Sequence, residues 1–203
     1  MFFIQFLLGF AISYVGSISP SMLNITATKI SIEKNKKTAI QFAVGVSVIV
    51  VFQAFFALLF LQIIYENPII LESIETAAIV VFSFLSIFFF RKARQEQQEI
   101  SSKKSKRSGF ITGMGLSIIN MFSIPFYCGV GAAFNMYDWL ELDTVSVLLF
   151  TLGAALGTYL ILYSYILFAE KIKSKIARFS KYFNYILSAI TGIVAVISLI
   201  KML

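Results

Sequence analysis

The sequence predicts an all-α polytopic membrane protein of six transmembrane helices, arranged as two inverted three-helix repeats. Three observations carry this. Of 203 residues, 59% are apolar or aromatic and 13% charged, against ~45–50% and ~25% in a soluble domain. The charges are gathered into blocks between long uncharged runs, and the sign of the blocks alternates along the chain. Two prolines, Pro20 and Pro125, fall inside matching runs 105 residues apart.

The runs define the spans, since ~20 apolar residues cross a ~30 Å hydrocarbon core. Span one is Met1–Thr28. Met1–Phe10 has no basic residue, so it is expected to remain as span one and not to be removed as a signal peptide. Span two is Thr38–Tyr65. Span three, Thr76–Phe90, is short at 15 residues. It is expected to begin just after Pro68, with Glu72 and Glu75 in the headgroup region at the positive end of the helix dipole. Spans four, five and six are Gly109–Tyr137, Thr144–Ala169 and Tyr182–Ile200. None alternates apolar and polar residues as a barrel strand does. The expected divisions are residues 1–90 as the first repeat, 91–108 as a basic cytoplasmic linker, and 109–203 as the second repeat.

Charge sets the orientation. Sixteen of the 17 basic residues lie between spans one and two, three and four, or five and six. The other two loops hold Glu66, Glu72, Glu75, Asp138, Glu141 and Asp143 with no Lys or Arg. The positive-inside rule puts the basic loops in the cytoplasm and both termini outside, in a multi-pass protein of the inner membrane. The net charge of +7 therefore reads as anchorage on an anionic leaflet. The block Lys103–Arg107 reads the same way, with no nucleic-acid partner.

Three spans per half is an odd number, so the halves must run in opposite directions. An offset of 105 carries Thr38 to Asp143 and Thr76 to Lys181, the starts of spans five and six. Residue identities favour an offset of 106, which pairs Gly9 with Gly115, Ile12 with Ile118, Ser17 with Ser123 and Ile18 with Ile124.

Much chemistry is excluded. There is no His and a single Cys, Cys128, so no Ser-His or Cys-His pair and no intrachain disulfide can form. No Asp, Glu, Lys or Arg lies mid-span. That leaves no general base for a membrane enzyme and no hard-metal site, and no cofactor is called for. Small residues offer one packing seam, Gly153-Ala154-Ala155-Leu156-Gly157, which suits a homodimer or a contact within the bundle.

The prolines mark the candidate site. Proline removes a backbone N–H and frees a carbonyl, so a helix kinks or unwinds there. Each break is dressed with polar side chains: Ser17, Ser19 and Asn24 around Pro20, and Asn120 and Ser123 before Pro125. A kink with serines capping freed carbonyls needs no ligand. Two such breaks in corresponding positions of inverted halves point instead to a solute site near the midplane. A neutral zwitterion suits a site without charge, its carboxylate on a half-helix N-terminus and its amine on freed carbonyls.

The stretch Gly16-Ser17-Ile18-Ser19-Pro20-Ser21-Met22-Leu23-Asn24 resembles the G-x-x-x-P-G-P-N signature of the lysine exporter (LysE) family of small six-span amino acid exporters. Phe110-Ile111-Thr112-Gly113 through Asn120, followed by Pro125, resembles that family's second-half F-x-x-G…N-P-K segment. Ser21 and Met22 stand where the family has Gly-Pro, Ile124 where Asn precedes Pro, and Phe126 where Lys follows. The resemblance implies secondary export of amino acids or similar small zwitterions, with a solute and the lipid bilayer as partners. The alternative is a non-transporting membrane scaffold or assembly factor with the same fold.

Overall fold

The computed structural model describes residues 2–66, 108–120 and 122–171, with residues 83, 86, 87, 90, 91, 185, 186, 188–190, 192, 193, 196 and 200. Six helices have both ends among the described residues, and no described residue is in a strand. They are α1 Phe2–Gly16, α2 Met22–Glu33, α3 Lys36–Glu66, α4 Gly109–Ile119, α5 Ser123–Met136 and α6 Thr144–Leu167. Helices α3 and α6 are long and apolar enough to cross a membrane, and the pair α4–α5, bent by 65°, is a third candidate. Spans one, two, four and five thus correspond to α1–α2, α3, α4–α5 and α6. Glu72, Glu75 and Lys103–Arg107 lie outside the described residues, as do spans three and six except for the isolated positions named.

Capping residues set the helix starts. Ser108 accepts from the Ile111 N–H at 3.3 Å, and the Asn35 Oδ1 accepts from the Thr38 N–H at 2.8 Å. The Asp143 Oδ1 accepts from the N–H groups of Val145 and Ser146 at 3.0 and 3.2 Å. Each supplies an acceptor to donors that have no partner within the helix.

The chain divides into two compact units. The first, Met1–Ile63 with Lys106–Lys173, contains all six helices apart from the last residues of α3. Its core includes Ala39, Phe42, Ala43, Val46, Ala54, Leu58, Phe150, Ala154 and Leu162. Exposed apolar side chains recur one turn apart as Phe52, Phe56 and Phe60 on α3 and as Leu148, Leu152 and Leu156 on α6. Such stripes suit contact with lipid in a membrane bundle. In the second unit, Ile64–Ser105 with Ser174–Leu203, the hydroxyls of Ser86 and Ser188 each donate to the other's carbonyl at 3.0 Å.

Two helix contacts in the first unit are built alike. A Cβ on Gly9 would meet the Phe150 carbonyl, and one on Gly153 the Phe6 carbonyl, so α1 and α6 lie backbone to backbone. Likewise a Cβ on Gly113 would meet the Phe42 carbonyl and one on Gly45 the Phe110 carbonyl, joining α4 to α3. Both pairs run parallel: Gly157 follows Gly153 onto Phe10, and Thr38 precedes Phe42 onto Gly109. Close approach through small residues is how helices pack without a hydrophobic driving force. Gly153 and Gly157 are therefore engaged with α1 of the same chain, which is where the seam offered to a homodimer is used.

Residues 6 and 9 match residues 110 and 113, an offset of 104, while 42 and 45 match 150 and 153, an offset of 108. The offset of 106 suggested by identities is not the packing register. Gly115, its proposed partner for Gly9, has no neighbour within 4 Å of a Cβ position.

Candidate functional site

Helix α1 stops at Gly16 and α2 starts at Met22. The last turn tightens, with Ile18 N–H donating to the Val15 carbonyl at 3.1 Å. Pro20 sits directly before Ser21, the extended N-cap of α2, whose hydroxyl accepts from the Asn24 N–H at 3.5 Å. Proline also biases Ser19 away from the helical region, so the chain cannot pass straight through.

The carbonyls freed by this break are taken by side chains. The Asn24 Nδ2 donates to the Ser17 carbonyl at 2.8 Å and to the Ser19 carbonyl at 2.7 Å. The Tyr165 hydroxyl, from α6, donates to the Ile18 carbonyl at 2.6 Å. Asn24 is 1% exposed. Its amide is a clasp across the break, which joins Ser17, Ser19 and Asn24 through backbone oxygens.

At the second break α4 ends at Ile119 with the same tightened turn, Asn120 N–H to the Ser117 carbonyl at 3.0 Å. The Asn120 Nδ2 donates to the Ser123 Oγ at 3.0 Å. Pro125 was expected to make this break, as Pro20 does the first. It lies instead as the third residue of α5, after the break. The N–H groups of a first turn have no intrahelical acceptor, so proline there costs nothing and does not interrupt the helix. From the first half, Gln53 on α3 reaches the second break, its Nε2 donating to the Ser117 carbonyl at 2.8 Å.

The end of α1 and the first turns of α5 meet. The hydroxyls of Ser13 and Tyr127 are 3.0 Å apart, both buried. A Cβ on Gly16 would fall 2.7 Å from the Phe126 Cζ. Phe126 and Tyr127 are in edge contact, and Tyr127 meets Phe150 the same way. Among the described residues no hydrogen bond joins the Ser17–Ser19–Asn24 group directly to Asn120–Ser123; they are linked through these aromatic residues. Two departures from the family motif have local uses here, Ser21 as a helix cap and Phe126 as the ring against Gly16.

Four buried side-chain atoms have no hydrogen-bond partner among the described residues: Gln5 Oε1, Ser19 Oγ, Gln53 Oε1 and Thr158 Oγ1. Two of them belong to the breaks: Ser19 lies within the first, and Gln53 holds the carbonyl at the second. Thr158 lies in the middle of α6, beside the Tyr127 phenol.

Sequence reading missed Ser13, Gln53, Tyr127, Thr158 and Tyr165. On one face of α6 the rings of Tyr159 and Tyr163 stack 6.0 Å apart. All five sit on regular helix turns, where no proline or motif marks them.

Two helices long and apolar enough to cross a membrane, a third bent pair and the family match make this an integral membrane transporter. The chain belongs to the LysE type translocator family, whose model matches residues 14–202. No curated protein and no solved structure matches it.

Proposed function

We propose that the protein is a secondary transporter that exports amino acids or similar small zwitterions across the bacterial inner membrane. The solute sits between the two breaks, in a site made by Ser17, Ser19, Pro20 and Asn24 from one half and Asn120, Ser123 and Pro125 from the other. Gln53 and Thr158 join that set. The observation that carries the reading is the placement of the orphan polar atoms. A buried hydroxyl or amide oxygen without a partner costs about 1–3 kcal/mol, and native proteins keep few of them. Ser19 Oγ, Gln53 Oε1 and Thr158 Oγ1 are what a small polar solute would satisfy. A non-transporting scaffold gains nothing from them.

Uncharged walls suit a zwitterion, which brings both charges itself. The two glycine-locked pairs, α1 with α6 and α3 with α4, support the reading of six spans as two inverted repeats. Their parallel course supports the topology. It groups the starts of α1 and α6 at one side, by the acidic 137–143 loop, and those of α3 and α4 at the other, each after a basic segment. Both termini then face outside.

Ser19→Ala tests the site. Removing an unpartnered buried hydroxyl should leave the melting temperature unchanged or raise it, while transport falls about tenfold, as expected for a lost hydrogen bond of about 1.4 kcal/mol. Transport is read as intracellular amino acid accumulation under dipeptide load in a strain lacking the protein. Full activity in Ser19→Ala at normal abundance would refute the placement.

A further inference from the structure

The fourth orphan atom lies away from the breaks. Gln5, in the first turn of α1, is 4% exposed and its Oε1 has no partner among the described residues. It lines a cavity of about 300 Å³ with Ile4, Leu8, Asp138 and Trp139. That volume is at the small end of small-molecule sites. The cavity lies by the start of α6, whereas the basic loop between α2 and α3 lies by its end, where the Ser31 hydroxyl donates to the Ile166 carbonyl at 3.2 Å. A helix of 24 residues, about 36 Å long, separates the two.

The chemistry of the walls is one-sided. Asp138 brings a carboxylate that has no ion-pair partner among the described residues. Gln5 Oε1 is a second acceptor. Trp139 adds an indole, whose face attracts cations. Ile4 and Leu8 supply apolar surface. The segment 137–143 holds two further acids, Glu141 and Asp143, and no base. The two carboxylate oxygens and one amide oxygen are too few for calcium or magnesium, which take six or more ligands. An organic ammonium group matches better: its N–H donors meet the carboxylate and the amide oxygen, its charge meets the indole, and its alkyl body meets Ile4 and Leu8.

We propose that this cavity is a binding site for a small primary alkylammonium, separate from the solute site at the breaks and at the opposite end of α6 from the basic loop. It does not depend on the reading of the breaks, because none of its residues belongs to them.

Trp139 is the sole tryptophan in the chain, so fluorescence excited to the red of tyrosine absorption comes from a side chain of this cavity. The probe is n-butylammonium, titrated into the purified full chain in nanodiscs at constant ionic strength set with sodium chloride. The expected result is a saturable change in emission that neither n-butanol nor sodium reproduces. Asp138 has a φ of 57°, the left-handed region, which Asn also tolerates. Asp138→Asn therefore keeps the turn while removing the charge, and should raise the midpoint at least tenfold. Gln5→Leu should also raise it, and Asp143→Asn should not. No saturable response, an equal response to n-butanol, or an unchanged midpoint in Asp138→Asn overturns the proposal. The butanol comparison uses the unmodified protein, so the test stands even if a variant fails to fold.

Discussion

The Tyr165 hydroxyl donates to the Ile18 carbonyl at 2.6 Å, joining residues 147 apart in sequence. The carbonyl is free because α1 ends two residues earlier. The hydroxyl comes from α6, so a side chain of the second half completes the backbone of the first. Gln53 does the reverse at the Ser117 carbonyl. Tyr165→Phe should destabilise the protein by about 1 kcal/mol, read as a lower melting temperature in detergent. Tyr163→Phe is the comparison. Its ring stacks on Tyr159 and its hydroxyl has no hydrogen bond among the described residues, so its melting temperature should not move.

Asn24 and Asn120 were alike in sequence reading, two amides at matching breaks. They are not alike in structure. Asn24 clasps two backbone carbonyls and is buried; Asn120 donates to one serine hydroxyl and is half-buried. Asn24→Leu should therefore destabilise by about 2–3 kcal/mol and lower membrane abundance, since two carbonyls lose their donor. Asn120→Leu should destabilise by about 1 kcal/mol. Equal melting temperatures for the two variants would show that the clasp does not hold the break.

What was legible in the sequence follows from what leaves a local mark. Charge blocks and apolar runs are local, so the helices at α3, α4–α5 and α6 and the break at Pro20 could be read directly. The position of the second break could not, because a proline marks either a break or a first turn, and Pro125 is in a first turn. The packing register was misread for a related reason. Identity paired Gly9 with Gly115, but the contact is made by Gly113, and only the approach of another backbone distinguishes the two. Tyr165, Gln53 and Tyr127 were invisible because their partners are in the other half of the chain. Periodicity says that a face is buried, not which carbonyl waits there.

The matched glycine contacts make a paired prediction. Gly45→Val and Gly153→Val each place a side chain onto a backbone carbonyl, of Phe110 and of Phe6. Neither carbonyl can yield without moving its helix, so both variants should lose most folded protein in a fluorescence-detected size-exclusion assay. Gly115→Ala and Gly129→Ala meet open space and should be tolerated, with a gain of up to about 1 kcal/mol from helix propensity. Tolerance of Gly153→Val would show that α1 and α6 are not in backbone contact.

Asp143 caps α6, and hydrogen bonds from Ser146, side chain first and then backbone, hold its carboxyl below the usual carboxylate range. The depressed value means that the ionised form is favoured by folding. Its contribution is present at neutral pH and lost as pH falls through about 4 and below. Asp143→Ala should lower the melting temperature at pH 7, and the gap from the unmodified protein should close in acid. Asp143→Asn also caps but does not titrate here, so its difference from the unmodified protein should be small at pH 7 and should not follow the Asp143→Ala trend. A gap that persists unchanged below pH 3 would assign the effect to something other than the carboxylate.

Orientation is the last prediction, and it rests on charge read together with packing. The positive-inside rule assigns the loops holding 16 of the 17 basic residues to the cytoplasm. Packing is consistent with this, because α3 runs parallel to α4 and each follows a basic segment. In a Cys128→Ser background, Glu141→Cys should react with a membrane-impermeant maleimide in intact cells, and Lys104→Cys only after lysis. Cys128 must be replaced because it is the sole native thiol. Glu141 is suitable because it is exposed and lies between the α5 and α6 helices. The reverse labelling would turn the protein over, and with it the direction of transport and the side from which the alkylammonium cavity opens. Labelling of both positions in intact cells would instead break the link between charge and side, and the parallel pairs would then have to be explained without a common cytoplasmic face.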